Sequence, residues 1–247
     1  MDFKTSVMKK ILYSLLCVAA IVSSGACKKD NYALPDATLE GSLNDGKGSM
    51  QLEQGGGSVR IKLDELSWSA TPIPMFLNFR QDGSYINTKL FPGQYRVTPV
   101  EGPFYPIDSA DIKIVDLRSG GSTRADFNVV PYVNVEWVTP PSVTADKKVT
   151  ATFRFTRTTP PPGKTQPALL DYQMFISTTQ YVGNNNWDNT VIGAAQAAPG
   201  KEATDVVIKS TAPMKYATTY YIRVGVRVND SFKKYNYTTI STVTVAP

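Results

Sequence analysis

The chain has 247 residues, with 26 Lys and Arg against 21 Asp and Glu, a net charge of +5, two cysteines and no histidine. The lack of histidine excludes Ser-His-Asp and Cys-His catalysis and, with Cys so scarce, zinc sites built on His or Cys. The charge is mild and forms no dense basic cluster interleaved with aromatics, so nothing points to nucleic acid. The acidic residues are scattered, without a carboxylate pair that stands out or an EF-hand alternation, so no catalytic residue, metal ligand or cofactor is assigned. Short runs of Val, Ile, Thr and Tyr between Gly and Pro clusters, with no sustained helical period, predict an all-β chain of sandwich type.

The first element is a targeting segment. Lys9 and Lys10 precede the apolar run Ile11–Val22, and Ser23, Ser24, Gly25 and Ala26 lead to Cys27. The run is shorter than the roughly 20 residues of a spanning helix and has the form of a secretory signal. Small residues before a cysteine resemble a bacterial lipoprotein signal, with Ser24 where that family usually has Leu. The resemblance implies that residues 1–26 are removed and that Cys27 is lipidated as the new N-terminus. The alternative is an ordinary cleaved signal with an incidental Cys27; Cys17, behind bulky Leu16, is a weaker lipidation candidate. Two or three acyl chains anchor a protein stably, so the expectation is a membrane protein held only by lipid. Removing Lys4, Lys9, Lys10 and Asp2 leaves a charge of +3 and, with Cys27 lipidated, no thiol for a disulfide. Residues 27–35 then read as a tether. Its start, Cys27-Lys28-Lys29-Asp30, resembles surface-exported lipoproteins of Bacteroidetes, which implies the outer membrane and display at the cell surface; a periplasmic face stays open.

A first β-sandwich is expected over residues 36–130. Its strands are Ala37–Leu43, Ser58–Leu66, Phe76–Phe79, Ser84–Lys89, Gln94–Val100, Ala110–Asp116 and Ala125–Val130, divided by turn signals at 44–46, 55–57, 81–83 and 120–122. Val59, Ile61 and Leu63 alternate with Arg60, Lys62 and Asp64, the period of a half-buried strand. Asp82, Gly83, Tyr85, Leu90, Pro92, Gly93, Tyr95 and Val97 resemble the signature of carboxypeptidase-regulatory-like, transthyretin-type domains. Tyr85, Leu90 and Tyr95 point into one core, and Phe104-Tyr105, between two prolines, reads as an exposed loop.

A second sandwich is expected over residues 131–247. Val133, Val135 and Trp137 alternate, with Trp137 assigned to the core, and Pro140-Pro141 follows; strands come next at Lys147–Thr158, Leu170–Ser177, Ala203–Lys209, Ala217–Asp230 and Tyr237–Val245, with a rigid break at Thr159-Pro160-Pro161-Pro162-Gly163. In the longest, Tyr220, Ile222, Val224, Val226 and Val228 face the core, and Arg223 and Arg227 lie on a solvated face. Thr218, Tyr220, Arg223 and Val224 resemble the late strand of fibronectin type III and immunoglobulin-like sandwiches.

The whole pattern resembles one Bacteroidetes lipoprotein family, domain of unknown function 3823. The residues that carry this are Asp30-Asn31-Tyr32, Pro35-Asp36-Ala37, Glu53-Gln54-Gly55-Gly56-Gly57, Val59–Leu63 with Glu65-Leu66, and Gln81-Asp82-Gly83. The resemblance implies an accessory, non-catalytic role in polysaccharide uptake, with a polysaccharide or oligosaccharide as ligand and an outer-membrane transporter as partner.

Sugar sites combine exposed aromatic rings with amides and carboxylates that bind hydroxyls. Residues 180–190 hold such a set: Tyr181 and Trp187 bracket Asn184, Asn185 and Asn186, and Asp188 follows. The alternative is a loop whose Trp187 folds back on the sandwich. An exposed Trp187 beside Tyr181 in a groove would favour glycan binding; a buried one would favour a docking subunit that pairs a sheet edge with its partner. Trp68 is a further candidate that either binds or covers the core. Phe232, Lys233, Lys234, Tyr235 and Tyr237 read as a hairpin tip.

Overall fold

The computed structural model describes residues 33–247; the signal segment, Cys27 and most of the tether lie outside the described residues. Residues 35–247 form a compact unit of two tandem β-sandwich domains. The first contains β1 (Ala37–Asn44), β2 (Arg60–Glu65), β3 (Met75–Asn78), β4 (Ser84–Leu90), β5 (Gly93–Val100), β6 (Lys113–Leu117), β7 (Ser122–Arg124) and β8 (Phe127–Asn128). One sheet has the order β4-β1-β7, with β8 also on β1; the other runs β3-β2-β5-β6. The alternation of β2 works as expected on its inner face, where Val59, Ile61 and Leu63 are buried with Tyr85, Leu90, Tyr95 and Val97. Asp82 Oδ1 accepts from Ser84 N at 3.0 Å, and Gly83 turns with a φ of 75°. That closes the tight turn in front of β4.

Gly41 sits where β1 meets both neighbours. Tyr85 Oη donates to Ala125 O at 2.6 Å directly above it. A Cβ at Gly41 would lie 2.7 Å from Tyr85 Cε1 and closer still to Ala125 O. Gly41→Ala is therefore expected to cost about 1–3 kcal/mol through overpacking. Thermal unfolding checks this; an unchanged midpoint would show that β1 can shift.

The second domain contains β9 (Val133–Val143), β10 (Val149–Arg157), β11 (Leu169–Ser177), β12 (Gln196–Ala197), β13 (Val206–Lys209), β14 (Thr219–Val228), β15 (Tyr235–Tyr237) and β16 (Ser241–Thr244). Its sheets are β13-β10-β9 and β12-β11-β14-β15, with β16 also on β14. Phe153, Phe155, Met174, Ile176, Ile222, Val224 and Val226 fill the core between them.

The fold holds details that period-two alternation does not show. β9 runs through Pro140-Pro141, because it is an edge strand and the two prolines fall in a bulge between the pairs Thr139–Thr152 and Ser142–Thr150. The final strand is two pieces, β15 and β16, both paired to β14; Thr238 closes the gap by donating N to Val224 O at 2.9 Å and accepting Val224 N on Oγ1 at 3.1 Å. Phe104-Tyr105 is not exposed, because its two rings enter different cores. Phe104 joins the first core, while Tyr105 packs edge-on against Tyr132 at 4.8 Å in the second. Trp137 packs against the second core as expected but stays half-buried, and its Nε1 donates to Thr239 O at 2.9 Å.

Candidate functional site

The two sandwiches meet along a seam that contains buried charge. Arg223 on β14 was expected on a solvated face, yet it is 0% exposed. The reason is that β14 is covered on both sides. One face feeds the main core; on the other, Phe175, Tyr235 and Tyr237 flank Arg223 from the neighbouring strands, and Val182 and the first domain's chain at Leu52 close over it. The Arg223 guanidinium lies 4.0 Å over the Tyr237 ring and donates Nη1 to Leu52 O at 2.8 Å. Burial pulls its pKa down to about 10. The Tyr237 hydroxyl donates to Glu53 Oε2, and burial, followed by the Glu53 charge, holds that hydroxyl well above the ordinary tyrosine range.

Glu53 is the counter-charge. Its carboxylate crosses the seam and accepts backbone N–H bonds from Asn184 at 2.8 Å and Asn185 at 2.9 Å. The Gly183–Asn186 turn aims these donors outward, since Gly183 and Asn186 exchange both backbone bonds. Successive N–H groups in such a turn form an anion cradle. A Cβ at position 183 would lie 2.7 Å from Glu53 Oε1, so any larger residue there would displace that carboxylate. Asn185 Nδ2 donates to Gln54 O and Gly56 O, Gln81 Nε2 to Val182 O, and Asn236 Nδ2 to Pro103 O. Each of these bonds joins one domain to the other.

Clefts open along this seam, each lined from both domains. One of about 510 Å³ is bounded by Gln51, Gln54, Arg80, Asp82, Gln180 and Tyr181. Tyr181 is 49% exposed there. The Ser84 hydroxyl bond lowers the pKa of Asp82, keeping it a carboxylate beside the ring. An exposed phenol ring with amides, a guanidinium and a carboxylate around it matches the face and hydroxyls of a pyranose. A second cleft, of about 620 Å³, is lined by Arg60, Phe76, Asn78, Glu101, Phe232 and Lys234.

Two family models cover most of this architecture: the N-terminal domain of the protein of unknown function DUF3823 matches residues 37–130, and the domain of unknown function DUF3823_C matches residues 138–242. The chain belongs to the DUF3823 family. Among solved structures, a DUF3823 family protein from Bacteroides uniformis is 23% identical at a TM-score of 0.74, covering 86% of this chain and 100% of its own. Another from Parabacteroides merdae is 22% identical at 0.68, covering 85% and 100%. These show the shared fold. A further Bacteroides uniformis protein, provisionally described as a carbohydrate binding protein, is 25% identical at 0.66, covering 85% and 100%. No curated protein matches the chain.

In this DUF3823 protein the residues singled out in the sequence separate into distinct roles. Asn184 and Asn185 hold Glu53 across the seam. Asn186 braces its own loop, donating Nδ2 to Thr179 Oγ1 at 2.7 Å and Tyr181 O at 3.1 Å. Asp188 accepts from Thr190 and pairs with Lys215 at 3.2 Å. Trp187 is half-buried and folds back edge-on against Phe175 at 5.9 Å, so it forms no platform with Tyr181. Trp68, 77% exposed between β2 and β3, neither covers the core nor lines a seam cleft. Tyr235 and Tyr237 are buried, which leaves Phe232 as the exposed ring of the supposed hairpin tip. Sequence reasoning missed Arg80, Asp82 and the pair Glu53–Arg223, although Glu53 and Asp82 stood in the motifs that carry the family resemblance.

Proposed function

We propose that this DUF3823 protein is a non-catalytic accessory glycan-binding lipoprotein. In this reading it is anchored through Cys27 to the outer membrane, at the cell surface, and serves a polysaccharide uptake system. The observation that carries the reading is the Tyr181 cleft, where one exposed ring stands among Gln51, Arg80, Asp82 and Gln180. The provisional carbohydrate-binding description of the 25%-identical Bacteroides uniformis protein supports the same ligand class. The test is affinity electrophoresis of residues 33–247 against plant, host and microbial polysaccharides. At least one polymer is expected to retard the protein, and Tyr181→Ala to weaken that binding about five- to tenfold, the size of one aromatic-stacking contact. Trp68→Ala runs beside it, since Trp68 is an exposed ring outside the cleft. Retardation that survives Tyr181→Ala but fails in Trp68→Ala would move the site to the β2–β3 loop.

A docking subunit for an outer-membrane transporter is the second reading. The packed Trp187 favours it, as does β3, an edge strand that exposes Met75 and Phe76. No retardation by any polymer, with a membrane protein captured from outer membranes and released by Met75→Lys, would favour docking over glycan binding.

A further inference from the structure

We propose that the cleft between Arg60, Phe76, Glu101, Phe232 and Lys234 is a second glycan site, shaped for a saccharide that carries a carboxylate. Its volume, about 620 Å³, falls in the range of small-ligand pockets, and both domains contribute to its walls. Phe232 offers a ring that is 47% exposed in the loop between β14 and β15. Phe76 is covered on one face by the Arg60 guanidinium at 4.0 Å, and Glu101 grips that guanidinium at two points. Arg60 is thereby held flat, and its Nη1 makes no hydrogen bond to a described residue. Lys234 Nζ donates one hydrogen bond to Gly57 O and keeps two N–H groups for a ligand.

The charge of the lining decides the ligand class. Two cations, Arg60 and Lys234, stand against one carboxylate, Glu101, so the cleft has one positive charge in excess. A neutral sugar would leave that charge unanswered, whereas a uronic acid would place its carboxylate on Lys234 and Arg60 Nη1. Asn78, Ser231 and Glu101 then remain for hydroxyls.

The backbone around this cleft is held in an unusual form. Glu101 has a φ of 59° and Lys233 a φ of 49°, two of the four non-glycine left-handed residues among those described. Lys233 is fixed there by its N–H bond to Asp230 Oδ1 at 2.6 Å. Such conformations cost of order 1–3 kcal/mol and persist where the surroundings over-determine them. Here they set the Glu101 carboxylate against Arg60 and turn out the loop that carries Phe232. The Gln54–Gly57 loop borders both clefts, and Asn185 secures it.

The inference shares with the proposed function only the premise that the ligand is a saccharide, and the variants separate the two. Calorimetry of residues 33–247 with short oligomers of galacturonate, mannuronate–guluronate and hyaluronan is compared with neutral xyloglucan and mannan oligomers. Binding of at least one acidic oligomer is expected, and it should weaken as salt rises from about 50 to about 300 mM. Phe232→Ala and Lys234→Gln should each weaken it about five- to tenfold, while Tyr181→Ala leaves it unchanged. Phe232 is exposed and Gln keeps a donor for Gly57 O, so both variants are expected to fold; unchanged thermal midpoints check this. Loss in Tyr181→Ala but not in Phe232→Ala would place the ligand in the first cleft and overturn the second site alone. Binding of neutral oligomers only would overturn the carboxylate assignment. No binding of any oligomer would overturn this inference whatever the outcome of the polymer screen.

Discussion

Glu53→Gln and Arg223→Met are each expected to cost about 3–5 kcal/mol, and the double variant markedly less than their sum. The Glu53 carboxylate receives two backbone N–H groups and the Tyr237 hydroxyl, and Arg223 lies over the face of that same ring. Removing only Arg223 leaves a carboxylate buried without its countercharge and strips Leu52 O of its donor. Removing only the carboxylate charge sets an amide NH₂ against donors and leaves a guanidinium that is 0% exposed with no anion near it. Together the two changes remove both charges, and the remaining cost is that of lost hydrogen bonds. Urea unfolding of the four proteins measures the cycle. Additivity within about 0.5 kcal/mol would show that the two charges do not act as a pair. Because the bonds cross the seam, the single variants should also weaken the Tyr181 cleft, whose Gln54 and Gln180 belong to different domains. A stable variant with intact glycan binding would separate the clamp from the site.

The two sandwiches were legible in the sequence because a strand with one buried face writes its burial in period two. β1, β2, β5 and β10 do this, and their alternating apolar positions are buried up to the strand ends, where Asp64 of β2 is buried against expectation and Val100 of β5 is half-exposed. β14 could not be read in the same way. Arg223 alternates with core residues, and alternation assigns it to solvent; only a second domain lying on that face reverses the assignment, and one strand's pattern holds no record of it. Phe104-Tyr105 failed for the same reason. Two prolines around two rings mark a loop, but its burial depends on two cores meeting there.

The loop at 180–190 shows what composition can and cannot say about a site. Asn and Gly runs signal a turn, and the turn exists. The expected chemistry, amides bonding sugar hydroxyls, belongs to side chains; Asn184 and Asn185 use their backbone N–H groups to hold a carboxylate more than 130 positions away. Tyr181 was legible because an exposed aromatic in a polar loop is unusual. Its cleft partners Arg80 and Asp82 come from the first domain's β4 turn, and no spacing rule links them to it. The Glu53–Gly57 motif was legible as a resemblance; the seam supplies its physical reason.

Alkaline pH is expected to unfold the protein cooperatively, beginning near pH 10. Tyr85, Tyr95, Tyr132, Tyr235 and Tyr237 are buried, and burial raises each hydroxyl above the ordinary value of 10.0, Tyr95 and Tyr132 to about 12 and the other three further. In the unfolded chain all five ionise near 10, while the native hydroxyls stay protonated. Above that pH the unfolded state therefore holds fewer protons, and stability falls as pH rises; below it the contribution is constant. Arg223 acts in the opposite sense, since its native pKa of about 10 lies under its unfolded value of 12.5, but it is one group against five. The native hydroxyls begin to ionise only as pH nears their own values, so the slope is expected to be a few kcal/mol per pH unit near about pH 11. Thermal midpoints should be flat from about pH 7 to about pH 9 and then drop steeply. Phenolate absorbance of the five buried tyrosines should rise in a late phase that coincides with loss of the fold. Tyr237→Phe removes one ionisable group and should shallow the slope, at the cost of the bond to Glu53. Smooth titration of these five tyrosines near 10 with the fold intact would mean that water reaches the seam, and would overturn the buried clamp.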